Sequence, residues 1–202
     1  MRTRDMTYIS SNAYLTMDEM KVNAHYISGH LLSHNWTYNA IAGVLGNMQV
    51  ESTINPGIWQ SLNEGNMTGG YGLVQWTPAS KYTDWADSRG LEWGHPDSQI
   101  ARILYEVDNN IQWIHPSMTF KQFTLSTLPP YDLAVLFLHH YERPAEPDDD
   151  NRGQNANFWY EYITGNPPTE PTEPTEPIEP REKFYFSQTR RQFISRRRHM
   201  PL

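Results

Sequence analysis

The sequence predicts an α+β domain, mainly α, with a small β or loop insertion between its helices. Two observations carry that prediction. Apolar residues recur at spacings of three and four through most of the stretch from Thr16 to Ile163. Between Ser61 and Gln75 this period is lost, and Asn and Gly dominate. A third observation bounds the domain. From Asn166 onward the composition shifts to a Pro-rich repeat.

The first helix is predicted from Thr16, because Thr16-Met17-Asp18-Glu19 is a capping box that satisfies two orphan backbone donors. Its inner stripe is Met20, Ala24, Ile27 and Leu31, and Asn35-Trp36-Thr37 breaks it. Thr37 then caps a second helix with Ile41, Val44, Leu45 and Met48 inside, ending by Asn55-Pro56-Gly57. Residues 61–75 are expected as loops with a short hairpin or turn. Thr77-Pro78-Ala79-Ser80 restarts helix, followed by Trp85 and Ala86. A fourth helix is expected over Ser98 to Trp113, with Ile100, Ile103, Leu104, Val107 and Ile111 inside. A short one follows around Thr119 to Leu125. Pro129-Pro130-Tyr131-Asp132 opens a strongly apolar helix over Leu133 to Tyr141. The segment Phe158 to Ile163 closes the domain.

Composition narrows the function classes. With no cysteine among 202 residues, disulfide frameworks, Cys-ligated zinc and thiol catalysis are excluded. Residues 1–165 hold nine Lys or Arg against eighteen Asp or Glu. An acidic body of this kind argues against nucleic-acid binding by the main domain. The start lacks the apolar run of a secretion signal, and no stretch reaches transmembrane length. A soluble product made in the cytoplasm is expected, carried to any outer target by something else. Aromatic residues make up 13% of the chain, which suits a packed core and also suits a cleft where sugar rings stack.

Three segments are expected: a catalytic domain over 1–165, a Thr-Glu-Pro linker over 166–180, and a basic aromatic tail over 181–202. Proline at every third position favours an extended rod, and the glutamates stiffen it. At about 3.1 Å per residue this rod would span about 45 Å. The tail mixes aromatics with seven Lys or Arg and one Glu. It is expected to be disordered alone, with docking on an acidic partner as a further possibility.

Glu51 is the leading candidate for chemistry. Val44, Met48 and Glu51 are spaced four and three apart, so an apolar helix face ends in a carboxyl group. Partial desolvation there would favour the neutral form and keep a proton available near neutral pH. The plain alternative is a surface carboxylate rotated into solvent at a helix end. Ser52 either supports that carboxylate or caps a local turn, and Asn47 and Asn55 bracket it with amides suited to sugar hydroxyls. Gly69, Gly70 and Gly72 then give the segment before Gln75 its backbone freedom. Trp76 is expected to pack.

Glu51-Ser52 followed by Gly70-Tyr71-Gly72-Leu73-Val74-Gln75 resembles the paired motifs of goose-type lysozymes and lytic transglycosylases. The likeness is closer to the phage tail lysozymes. It rests on Ala40 to Gly57, on Gly72 to Ser80 and on Tyr141-Glu142-Arg143-Pro144, and spans about Met6 to Ile163. The resemblance implies a lysozyme-like fold, Glu51 as the catalytic acid and bacterial peptidoglycan as substrate. It also implies a place at the tail tip of a virion, beside other phage tail proteins that residues 181–202 would meet, with the wall opened as the genome enters. Gln75 matches the motif glutamine near the acid, and Tyr71 could line the same subsite, as could Asn55. Glu142 is either the second carboxylate, a residue that polarises water near Glu51, or half of a structural ion pair with Arg143; Glu64 and Asp84 are further candidates for the second carboxylate. Hydrolysis and transglycosylation both fit. Relatives carry a zinc endopeptidase domain after the lysozyme domain, but residues 181–202 are too short for one and hold one His. No peptide cleavage is therefore expected from them. His30 and His34 have zinc-ligand spacing, but they lack a third ligand, and His139-His140 with Glu142 is equally poor. No metal and no cofactor is expected. An endolysin for host lysis, or an inactive glycan-binding tail protein, are the alternatives.

Overall fold

A computed structural model describes residues 7–165. Seven α-helices follow in order among these residues: α1 Met17–Ser33, α2 Tyr38–Ser52, α3 Ser80–Asp87, α4 Pro96–Asn109, α5 Phe120–Thr124, α6 Pro130–Phe137 and α7 Asp149–Thr164. The Thr-Glu-Pro linker and the basic tail lie outside the described residues.

The caps act where the side chains predict. Thr16 and Glu19 form the capping box of α1, and Thr37 Oγ1 accepts from the Ala40 amide to start α2. Thr119 and Gln122 form a second capping box at α5. Other boundaries move for physical reasons. Pro96 opens α4 two residues early, because a proline in the first turn loses no helical hydrogen bond. Asn110 closes α4 in the left-handed region at φ 48°, so Ile111 and Trp113 fall beyond the helix. The last helix is much longer than its apolar segment suggests. It begins at an Asp148 cap, and its buried face reads Arg152, Gly153, Ala156 and Trp159.

The core forms where α2, α6 and α7 pack on one another. Two glycines let the backbones approach. A Cβ on Gly43 would lie 2.9 Å from Leu133 Cβ on α6, and one on Gly46 would lie 2.6 Å from the Arg152 carbonyl on α7. Ile41, Val44, Leu45 and Met48 are fully buried between them, as the stripe predicts. The last turn after α6 widens into a π-helical turn over Leu138–Glu142, where the Arg143 amide donates to the Leu138 carbonyl at 2.7 Å. Such turns alter the register of side chains around the helix. Here Tyr141 goes into the core while Glu142 reaches the cleft.

The expected β insertion is almost absent. Among the described residues the only extended pairings are two isolated bridges, Trp59 with Tyr71 and Tyr71 with Trp76. Side chains hold this segment instead of a ladder. Gln99, fully buried on α4, accepts from the Leu73 amide at 2.8 Å and donates to the carbonyls of Pro56 and Trp93. Gln60 Oε1 accepts from the Gly70 amide at 2.9 Å. Gly72 has φ 78°, and a Cβ there would meet Gln99 at 2.5 Å, so the turn requires glycine on both counts.

Candidate active site

A cleft of about 820 Å³ crosses the described domain. Val50 and Glu51 from the end of α2 line it, as do Trp59, Gln75 and Trp76 from the irregular segment. Lys81 on α3, and Tyr141, Glu142 and Arg143 after α6, line it too. Of the expected site residues, the structure brings together Glu51, Glu142 and Gln75. Glu64, Asp84, Tyr71 and Asn55 do not line it.

Glu51 sits in the last turn of α2, where the helix macrodipole presents its negative end. That is a poor place for a carboxylate without a cation. Arg152 on α7 supplies one: its Nη2 donates to Glu51 Oε1 at 2.6 Å, and its Nη1 donates to Asn47 Oδ1 at 3.0 Å. The Arg152 side chain is 7% exposed and that of Glu51 is 20% exposed; Glu51 lines the cleft and Arg152 does not. Sequence reasoning missed Arg152. It follows three aspartates and an asparagine, which read as a solvated run, and its contact lies 101 residues from Glu51.

Glu142 has the opposite environment. Its Oε1 is enclosed and has no hydrogen-bond partner among the described residues. Arg143 does not pair with it, because its Nη1 donates to the carbonyls of Gln112 and His140 at 2.6 Å each. Burial, and then the nearby charge of Glu51, push the Glu142 carboxyl well above the usual carboxylate range, with Arg152 opposing. A strongly desolvated carboxyl thus stands on this cleft at Glu142. Behind it lies a third carboxyl. Glu106 on α4 accepts from Trp76 Nε1 at 3.0 Å, Arg102 Nε at 2.8 Å and Tyr141 OH at 2.5 Å. Burial raises its pKa, and these three donors act against the rise.

The neighbouring polar residues serve the frame. Ser52 Oγ lies 2.9 Å from both the Met48 and Leu73 carbonyls, tying the end of α2 to the Gly72 turn. Asn47 donates to the carbonyls of Gly43 and Ala134. Asn55 is fully buried and offers the cleft nothing. Its Nδ2 donates to the carbonyls of Ser11 and Ala13, while its Oδ1 accepts from the amides of Ser11 and Gly57. Tyr71 is 5% exposed and packs between Trp59 and Tyr82. Burial raises its hydroxyl to about 12. Both positions were expected to bind substrate. As placed, a polar side chain satisfied by backbone and a ring enclosed by other rings have no face left for it. Gln75 does reach the cleft, although its Nε2 is directed at the carbonyls of Gly72 and Ile58. Trp76 packs as expected, stacked on Tyr82 at 4.7 Å between centroids.

A family model described as phage tail lysozyme matches residues 22–163, which include the cleft wall from Val50 to Glu142 and Arg152. The chain belongs to the phage tail lysozyme family. It is 59% identical over 163 residues to morphogenesis protein 1 of Bacillus phage B103. That match covers 80% of this chain and 45% of the relative, so the chain spans about half the length of the protein it resembles. No helix among the described residues is long and apolar enough to cross a membrane.

Proposed function

We propose that this phage tail lysozyme cleaves the glycan strands of bacterial peptidoglycan, with Glu51 and Glu142 as its catalytic carboxyl pair. The observation that carries the proposal is the unequal environment of two carboxyl groups on one cleft, one ion-paired and the other enclosed. Groups in this relation titrate as a pair and hold one proton between them over a range of pH. Glycosidic cleavage needs a proton on the leaving oxygen and a carboxylate to face the positive charge that develops on the sugar.

Glu51 is bound only through Oε1, is partly open to the cleft and is paired with Arg152, so it is the carboxylate that faces the positive charge developing on the sugar. Glu142, which also lines the cleft, holds the proton in the unliganded protein, gives it to the leaving glycosidic oxygen and is left as the second carboxylate. Gln75 contributes a polar wall beside them. We place the protein in the virion, at the tail tip among other tail proteins, opening the wall locally as the genome enters. The family, and a relative named as a morphogenesis protein, support that location.

Glu51→Gln should abolish the turbidity loss of purified peptidoglycan while the circular dichroism spectrum stays unchanged. Wild-type rates from that variant would remove Glu51 from the mechanism. Mass analysis of the products distinguishes a muramidase, which leaves reducing ends, from a transglycosylase, which leaves anhydro ends. Mass spectrometry of purified particles tests the location, since an endolysin would be missing from them.

A further inference from the structure

We propose that Arg152 is a positioning residue that holds Glu51 at the cleft wall and supplies the one cation, among the described residues, in direct contact with the pair. The inference rests on the assignment of Glu51 and Glu142 as the catalytic pair. Its basis is geometric. One guanidinium spans two side chains of α2, with Nη2 on Glu51 at 2.6 Å and Nη1 on Asn47 at 3.0 Å. Asn47 is itself fixed, since its Nδ2 donates to carbonyls on α2 and α6. The arginine therefore references Glu51 to three helices at once. The fork is planar, so both bonds are made in one orientation, which a lysine ammonium does not reproduce.

The same residue controls charge. The groups facing the pair are Arg152 from α7, Arg143 from the turn after α6, Glu106 from α4 and, across the cleft, Lys81 from α3. Arg143 is directed at backbone carbonyls. Glu106 works in the opposite sense, because its charge favours protonated Glu142. Arg152 alone combines enclosure, direct contact with Glu51 and an electrostatic effect on Glu142. Its own Nε is buried without a partner, a cost the fold carries where a surface arginine would carry none. The cation contacts Glu51, while the enclosed Glu142 has none in contact among the described residues and is pushed up by burial.

The test is a pH–rate profile of the full chain on purified peptidoglycan, with Arg152→Met and Arg152→Lys measured beside Glu51→Gln. Removing the cation raises both ionisations of the pair, so both limbs of the Arg152→Met profile should move alkaline by about one pH unit. Its kcat should fall about 10- to 100-fold through loss of position. Arg152→Lys should keep the limbs near wild type, because the charge remains, yet lose at least about tenfold in kcat with KM little changed. A purely structural arginine would lower the rate equally at every pH. Unshifted limbs in Arg152→Met, or wild-type kcat in Arg152→Lys, would overturn the inference. If Arg152→Met does not fold, the kcat of Arg152→Lys decides. An active Glu51→Gln variant would instead overturn the catalytic assignment, whatever the arginine variants do.

Discussion

Replacing Gly46 with alanine tests whether the close approach of α2 and α7 builds the site. A Cβ at Gly46 would stand 2.6 Å from the Arg152 carbonyl oxygen, 2.8 Å from the Ala156 nitrogen and 3.0 Å from the Ala156 Cα. All three are backbone atoms, so no side chain can swing aside. Ordinary contact begins at 3.4 Å, so α7 must retreat by 0.8 Å, the difference from 2.6 Å. Overpacking of this kind costs about 1–3 kcal/mol. Alanine recovers up to about 1 kcal/mol through its higher helix propensity. With the full recovery the net loss should be about 0–2 kcal/mol, a fall in Tm of up to about 8 °C for a domain of this size. The displaced atoms belong to Arg152, so its 2.6 Å contact with Glu51 should loosen as well. Activity should fall about tenfold or more, since misplacements near 1 Å are known to cost up to about 10²-fold. Melting followed by circular dichroism and turbidity loss on peptidoglycan read the two effects. An alanine variant with unchanged Tm and full activity would refute the proposed coupling of packing to catalysis.

Other expectations follow from the same geometry. Tyr71→Phe should leave stability within about 1 kcal/mol of wild type and activity unchanged, because the ring packs and its hydroxyl makes no described hydrogen bond; a large rise in KM would restore it as a substrate contact. Asn55→Ala should cost about 2–4 kcal/mol in a denaturant titration, since it orphans backbone groups at Ser11, Ala13 and Gly57. Glu142→Gln should be more stable than wild type, with a pH signature. Burial raises the folded-state pKa, so the native protein retains a proton that the unfolded chain releases above about pH 4.3, and wild-type stability falls as pH rises from there through the folded value. A Tm gap that stays constant with pH would contradict that enclosure.

The parts of the fold legible in the sequence are those with local causes. The Thr16 and Thr37 caps and the Val44–Met48–Glu51 stripe act within a few residues, and each appears where spacing puts it. What escaped depends on distant partners. Asn47 and Asn55 flank Glu51 and look like sugar contacts, but an amide carries no mark of whether its partner is a ligand or a backbone carbonyl. The first half of α7 looks solvated because Asp149, Asp150 and Asn151 precede the buried Arg152. Of the hairpin or turn expected over residues 61–75, only isolated bridges form, because Gln99 and Gln60, rather than a neighbouring strand, satisfy its amides. Glu142 was visible as a carboxylate after an apolar helix. Its enclosure follows from a π-helical turn, and the pairing of Glu51 from an arginine on another helix.

The 101 residues between Glu51 and Arg152 also set an order of events at the ribosome. At a synthesis rate of about 5–20 residues per second, roughly 5–20 s separate the carboxylate from its guanidinium. Until α7 has emerged, Gly46 faces no helix and the fully buried Trp159, whose Nε1 donates to Gln49, has not been made. A nascent or truncated chain thus lacks the last core layer and the proposed support of Glu51 together. Completion of the domain and acquisition of activity become one step, so chains cut short before α7 should be inert.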